Sequence, residues 1–331
     1  MQSPSPLGRR LHSRKMLRYL VSLLFVTAVF LFLLRLWFGP PPSGIAGSAG
    51  SAAYRLPGCA CERHYDPAIP RSRSSCGGFA DLRGAGQRVI AFSFFGELVN
   101  DFFRGIEKNA ELARQFYPGW VMRVYHDIDL RTPAGRDAVC GLQCRYDHLD
   151  FCGVRHVAGL GDISQKHFSV WRFVVLADDS VRRFIVRDLD SLMNQRERDA
   201  VDEWLASNRT FHVMRDHPEQ QIEILAGMWG GWNRYNSVYR PVLRKIMNAT
   251  TRLWKDEQTL RAVLWPEMLR RRDVLAHDSY TCQKFPHTKP FPSQRRNREF
   301  VGAKLLILNQ TVPEPCPPPC RPPQHQDWLW C

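Results

Sequence analysis

Arg183-Phe-Ile-Val-Arg-Asp188-Leu189-Asp190-Ser191 carries the clearest structural signal in this chain. Phe184-Ile185-Val186 is a short apolar run of the kind that forms a strand buried in a sheet, and it runs out into Asp-x-Asp. Residues two apart on extended backbone point to the same side, so both carboxylates can face one point. Two like charges held that close are costly unless a cation neutralises them. Hard divalent ions such as Mg2+ and Mn2+ take oxygen ligands from carboxylates and phosphates alike. A strand-end Asp-x-Asp therefore suits a metal that joins protein to a diphosphate. The plainer reading of the same residues is a strand that ends in a solvated acidic turn.

On either side of this motif, strands and helices alternate. Val89–Phe95 and Trp120–Tyr125 read as strands, with a helix between them capped by Asn100 or Asp101 and ending before Pro118-Gly119. Gln165–Ala177 reads as a helix, Arg183–Arg187 as a strand, Gln195–Ala206 as a helix, Phe211–Met214 as a strand and Asp256–Leu264 as a helix. This alternation predicts a layered α/β domain with a mostly parallel central sheet flanked by helices. Ligands of such sheets bind beyond the carboxyl ends of the strands.

The ends of the chain speak to its location. Tyr19–Leu34 is an uninterrupted apolar run, extended past Arg35 by Leu36-Trp37-Phe38. At about 1.5 Å per helical residue it is long enough to cross a bilayer. Arg9, Arg10, Arg14, Lys15 and Arg18 precede it, which puts the N-terminus in the cytosol and the rest across the membrane. A cleavable signal peptide is the competing reading. The reading divides the chain into a basic cytosolic tail (1–18), a signal-anchor helix (19–38), a stem with a cysteine-rich lead-in (39–86), a lumenal α/β domain (87–312) and a Pro/Cys-rich tail (313–331).

All 10 cysteines follow the apolar run, as expected of disulfides formed in a secretory compartment. The spacing of Cys140, Cys144 and Cys152, with His148 nearby, also admits a zinc site. Sequons at Asn208, Asn248 and Asn309 would be N-glycosylated on that side of the membrane. The net charge of +14 permits anionic partners, but the secretory layout argues against nucleic acid.

With a cytosolic tail, one signal-anchor, a stem and an α/β domain holding Asp188-Leu189-Asp190, the chain resembles the Golgi-type glycosyltransferases of GT-A fold. The resemblance is architectural over most of the chain and rests on one short motif. It implies a nucleotide-sugar donor, a glycan, protein or lipid acceptor, and Mn2+ or Mg2+ at Asp188 and Asp190. It implies residence in the Golgi membrane, with the endoplasmic reticulum as the alternative. It also places the donor base near Phe95 and Asp127, at the ends of the first two strands. Arg172 and Arg187 are candidates to offset phosphate charge, and His277 or His287 to complete the metal site.

An inverting transfer needs a carboxylate to take the acceptor proton. Asp256 and Glu257 lead the candidates and Asp216 follows, while Trp229 and Trp232 could pack on sugar rings. Two other classes compete: a membrane-anchored binding protein or inactive transferase, and a phosphohydrolase of the haloacid dehalogenase type. The latter carries Asp-x-Asp on the first strand of its domain.

Overall fold

The computed structural model describes residues 50–234, 236–249, 256–285, 287–304 and 310–331. The expected cytosolic tail, the anchor helix, the start of the stem and Asn309 lie outside them. Among the described residues no helix is long and apolar enough to cross a membrane.

Chain order begins with a hairpin of β1 (Ala52–Arg55) and β2 (Glu62–Tyr65), followed by the single turn α1 (Phe79–Leu82). Next come β3 (Gln87–Phe94), α2 (Asp101–Phe116), β4 (Val121–His126), α3 (Pro133–Arg145) and β5 (Leu149–Gly153). A 3-10 helix over Phe168–Ala177 leads to β6 (Val181–Val186), then α4 (Gln195–Ala206), β7 (Phe211–Arg215), β8 (Trp229–Trp232) and α5 (Asn236–Ala249). The last elements are α6 (Asp256–Thr259), a π-turn over Leu260–Leu264, α7 (Trp265–Arg271) and β9 (Val274–Asp278).

β3 to β9 form one sheet in the order β5-β4-β3-β6-β8-β7-β9. Only β8 runs against its neighbours, β6 and β7; every other pairing in the sheet is parallel. The fold is thus the mixed α/β sheet with flanking helices that the alternating pattern predicts.

Side-chain alternation along the strands feeds two apolar layers. Val89, Ala91, Phe184, Val186, Val213 and Trp229 join the layer that includes Phe173 and Val174 of the 3-10 helix and Leu243 and Ile246 of α5. Ile90, Phe92 and Ile185 join the other, with Ile106 and Ala110 of α2 and Val201 and Trp204 of α4. α2 begins where its cap predicts, with the Asn100 side chain accepting from the Phe103 amide.

Two helices differ from expectation. The helix expected over Gln165–Ala177 forms only from Phe168, and as a 3-10 helix. Its amides are partly diverted: that of Arg172 donates to Ser93 Oγ of β3 at 3.0 Å. The helix expected to end at Leu264 continues through a π-turn to Arg271. Pro266 has no N–H with which to close a regular turn, and the wider π-turn lies just before it.

All ten cysteines are paired. Cys59–Cys140, Cys61–Cys144 and Cys76–Cys152 tie the lead-in to α3 and β5, and Cys282–Cys320 and Cys316–Cys331 pin the tail. The zinc reading of Cys140, Cys144 and Cys152 is therefore set aside, because their sulfurs are consumed in disulfides.

The tail is also held by charge. Asp216, just after β7, is fully buried. It accepts from Arg196 Nε and Nη2, both at 2.9 Å, from Arg295 Nη2 at 2.5 Å, from Ser279 Oγ at 2.7 Å and from the Val301 amide at 2.9 Å. Arg196 in turn donates to the Cys331 carbonyl at 2.6 Å. This corrects the reading of Asp216 as a catalytic base: its oxygens are saturated and no solvent reaches it. Burial alone would raise its carboxyl pKa, but Arg196 and Arg295 outweigh that and hold it below the usual range.

Replacing Asp216 by Ala leaves two buried guanidiniums uncompensated and should cost roughly 3–5 kcal/mol, read as a lowered urea midpoint. The wild-type contribution is complete above the ordinary Asp range and disappears as pH falls through the lowered folded-state pKa. Part of the Asp216→Ala deficit should therefore vanish in acid.

Candidate active site at the carboxyl end of β6

Asp188 and Asp190 stand just past β6 and line one cleft of about 360 Å3. Ser93, Phe95, Arg172, Gly227, Asp256, Glu257 and Lys304 also line it. The Asp-Leu-Asp segment is gripped from behind. Leu189 is buried, and its carbonyl accepts from Asn109 Nδ2 of α2 at 3.2 Å. A methyl group on Gly105 would lie 2.0 Å from the same carbonyl, so only glycine lets α2 approach the motif this closely. From the front, a methyl group on Gly227 would lie 1.9 Å from Asp188 Oδ2. That glycine leaves the seat into which the carboxylate fits.

Arg172 organises the floor. Its side chain is nearly buried, ion-pairs with Asp188 and with Asp256 Oδ2 at 3.1 Å, and donates a hydrogen bond to the Arg187 carbonyl at 2.9 Å. Its buried Nε has no partner. Asp188 keeps 41% of its side chain exposed despite this pairing. Burial, and then the nearby Asp188 charge, raise the Asp190 carboxyl above its ordinary range. Glu257 is raised for the same kinds of reason: burial first, then Asp256 and Asp188.

A second hollow of about 500 Å3 adjoins the first, lined by Phe95, Gly96, Asp127, Lys166, His167, Phe168 and Trp171. The two share Phe95 and Phe168, whose rings stack at 3.3 Å. The structure thus brings together Asp188, Asp190, Arg172, Phe95, Asp256 and Glu257, with Asp127 next door.

Other candidates lie elsewhere. Arg187 points into the core and pairs with Glu197 at 2.8 Å, both nearly fully buried, so it offers nothing to a phosphate. His277 is buried, with Nδ1 bonded to His212 Nε2 at 2.8 Å and Nε2 to Glu203 Oε2 at 2.9 Å. Neither nitrogen is free for a metal. His287 is exposed, with left-handed backbone, and lines neither hollow. Trp229 is buried against Phe173 and Phe184, so it is core and no sugar platform. Asn208 and Asn248 are exposed. Among the described residues no cluster of three His, Cys, Asp or Glu side chains could hold a metal.

Sequence reasoning missed Lys304, Ser93, Gly105, Asn109 and Gly227. Only Gly227, in a glycine- and tryptophan-rich stretch, left a trace. The motif also follows the fourth strand of the sheet in chain order, which does not suit the haloacid dehalogenase pattern.

No known protein family matches the chain, and no curated protein matches its sequence. Solved structures with some likeness include a 4-diphosphocytidyl-2C-methyl-D-erythritol synthase from Anaerococcus prevotii DSM 20548. It is 8% identical, with 58% of this chain and 87% of that chain covered and a TM-score of 0.39. A glycosyltransferase involved in glycosylation of the major capsid of PBCV-1 is 13% identical, with coverage of 60% and 87% and a TM-score of 0.33. Core-mannan synthase A from Aspergillus fumigatus, in a Mn/GDP form, is 10% identical, with coverage of 86% and 100% and a TM-score of 0.34. Likeness of this degree says nothing about substrate. The functional reading rests on the cleft.

Gly227→Ala should push the Asp188 carboxylate out of its seat; if Asp188 is a metal ligand, Mn2+ affinity should then fall about 10–100-fold, as loss of a supporting contact typically does. Titration calorimetry with Mn2+ reads this directly. Unchanged affinity would mean that Asp188 is no ligand.

Proposed function

We propose that this chain is a metal-dependent glycosyltransferase that moves a sugar from a nucleoside-diphosphate sugar to a glycan, protein or lipid acceptor. In this reading the fold is GT-A-like. It works in the lumen of the secretory pathway, held in the Golgi membrane, or alternatively that of the endoplasmic reticulum, by the N-terminal apolar run. The observation that carries the proposal is the pair Asp188 and Asp190 facing one open cleft at the end of a central strand, beside a second hollow walled by aromatic rings.

The donor set suits Mn2+ or Mg2+. Such ions are commonly held by one or two carboxylates, with substrate phosphates and water filling the remaining positions. Burial first, and then the neighbouring Asp188 charge, hold the Asp190 carboxyl above its ordinary range, and a divalent cation would relieve both. When bound, the ion would offset negative charge on the departing diphosphate. Arg172 and Lys304 add positive charge to the same cleft. The nucleoside lies in the adjoining hollow, near Phe95 and Asp127.

Of the two acids at the start of α6, Asp256 is committed to Arg172. Glu257 lines the cleft and makes no salt bridge with any described residue. Its raised pKa makes it a better proton acceptor than an ordinary carboxylate. It therefore takes the acceptor hydroxyl proton if the transfer inverts. Asp188 and Asp190 would hold the metal and so would not serve.

Purified protein should hydrolyse a nucleotide sugar slowly when Mn2+ is present, and Asp190→Asn should abolish this. Release of phosphate from simple esters would instead indicate a phosphohydrolase, and neither activity would indicate a binding protein. Once an acceptor is known, Glu257→Gln should lower kcat by about 10²–10⁴ while donor affinity stays unchanged. In the wild type, the acid limb of the kcat–pH profile should lie above the ordinary Glu range.

A further inference from the structure

At the other end of the same strands, four arginines and a tryptophan gather, with no acid among the described residues paired to them. Arg88 of β3 stands directly opposite Arg183 of β6, and Arg183 directly opposite Trp232 of β8. Facing residues of neighbouring strands share one face of the sheet, and like charges in that relation repel. The guanidinium carbons of Arg183 and Arg234 lie 3.5 and 3.0 Å from the Trp232 ring centroid, so close that they must take its two faces. Arg182 approaches the same ring at 5.9 Å.

None of these four arginines takes part in a salt bridge with any described residue. Arg234 donates to the backbone and side-chain oxygens of Asn208. Buried N–H groups on Arg183 Nη1 and Arg234 Nε have no partner. Burial, followed by the charges of Arg234, Arg182 and Arg88, pushes the Arg183 guanidinium down to about 10. The cluster therefore keeps an electrostatic conflict that no described side chain relieves. Elsewhere the chain matches its buried arginines to acids, as in Arg123–Asp178 at 2.8 Å and Arg215–Asp278 at 2.6 Å.

We propose that the Arg88–Arg182–Arg183–Arg234 cluster around Trp232 is an anion-binding exosite for a sulfate or phosphate ester carried on a sugar chain. Guanidinium forks bind tetrahedral oxyanions through paired N–H bonds, and stacking on Trp232 holds two of the forks in fixed orientation. Each Arg–ring contact occupies a face of the indole, so the ligand is recognised by its charge and not by stacking of its sugar ring. A flat anionic membrane fits less well. Arg183 is half-buried on a central strand, and none of the exposed large apolar side chains among the described residues, Ile69, Val99, Leu130, Leu269 and Leu329, belongs to these strands. The choice of a sugar as carrier rests on the proposed transferase reading; the oxyanion site itself stands on the cluster alone. Because β6 runs from this cluster to Asp188, the exosite and the cleft lie at opposite ends of one strand. Together they would let an acidic glycan be held far from its reacting end.

The test uses the full 331-residue chain, probed by calorimetry with inorganic sulfate, a heparin-derived hexasaccharide, its desulfated counterpart, and phosphatidylserine vesicles. The sulfated hexasaccharide should bind, inorganic sulfate should compete, and affinity should fall as salt rises. The double variant Arg88→Gln/Arg234→Gln should weaken binding at least tenfold while Mn2+-dependent donor hydrolysis stays intact. Equal binding of the sulfated and desulfated chains overturns the proposal, as does a double variant that binds like wild type. Vesicle binding that is lost in the variant, without hexasaccharide binding, assigns the cluster to a membrane surface and overturns the sugar carrier. Because Arg183 also packs on Trp204, it is left unaltered so that folding is not at issue. Loss of donor hydrolysis in the wild type would refute the transferase reading and leave the oxyanion result interpretable on its own.

Discussion

Two carboxylates repel when the backbone holds them on one side of a strand end, and the surroundings of β6 hold them there nonetheless. α2 presses on the Leu189 carbonyl through Gly105 and Asn109, and Gly227 leaves space for the Asp188 oxygens. Arg172 partly neutralises the pair from below while anchored by its own amide to β3. The result is a local electrostatic strain at the mouth of an open cleft. In the proposed reading a divalent cation would relieve it, and that cation would in turn draw a diphosphate.

The rest of the molecule can be understood as a frame for that pair. The parallel strands β3, β4 and β6 end at a common rim, so Phe95, Asp127 and Asp188 collect there from distant parts of the sequence. Buried ion pairs fix the frame: Asp216 joins α4 to the C-terminal tail, and Asp178 joins β4 to the turn before β6. Such pairs contribute little net stability compared with an apolar core, but breaking one is expensive, so they specify arrangement. The disulfides act on the periphery. Three of them fasten the lead-in against α3 and β5, beside the edge of the sheet.

Much of this was legible in the sequence where one physical signal dominated. The apolar runs of β3 and β6, the Asn100 cap and the Asp-x-Asp exit all carry local signals, and each appears within a residue or two of expectation. β5 and β9 were not legible, because Leu149–Gly153 and Val274–Asp278 mix apolar with charged residues that only pairing in the sheet explains. β8 was hidden for another reason: Trp-Gly-Gly-Trp has little strand propensity, and its glycines serve close packing on Phe184. In the site, the acids were visible but their divisions of labour were not. Asp216 follows a strand and Glu257 opens a helix, and only tertiary contacts show that one is saturated by arginines and the other open to a cleft. His277 likewise looked like a metal ligand until His212 and Glu203 claimed both its nitrogens.

The most direct measurement of the central claim is anomalous scattering from crystals grown with Mn2+ and a panel of nucleoside diphosphates. The account requires a manganese peak shared by the Asp188 and Asp190 carboxylates and touching diphosphate oxygens, with Arg172 shifted toward the phosphates. A diphosphate bound with no manganese at these two side chains, or manganese held elsewhere in the chain, would contradict it.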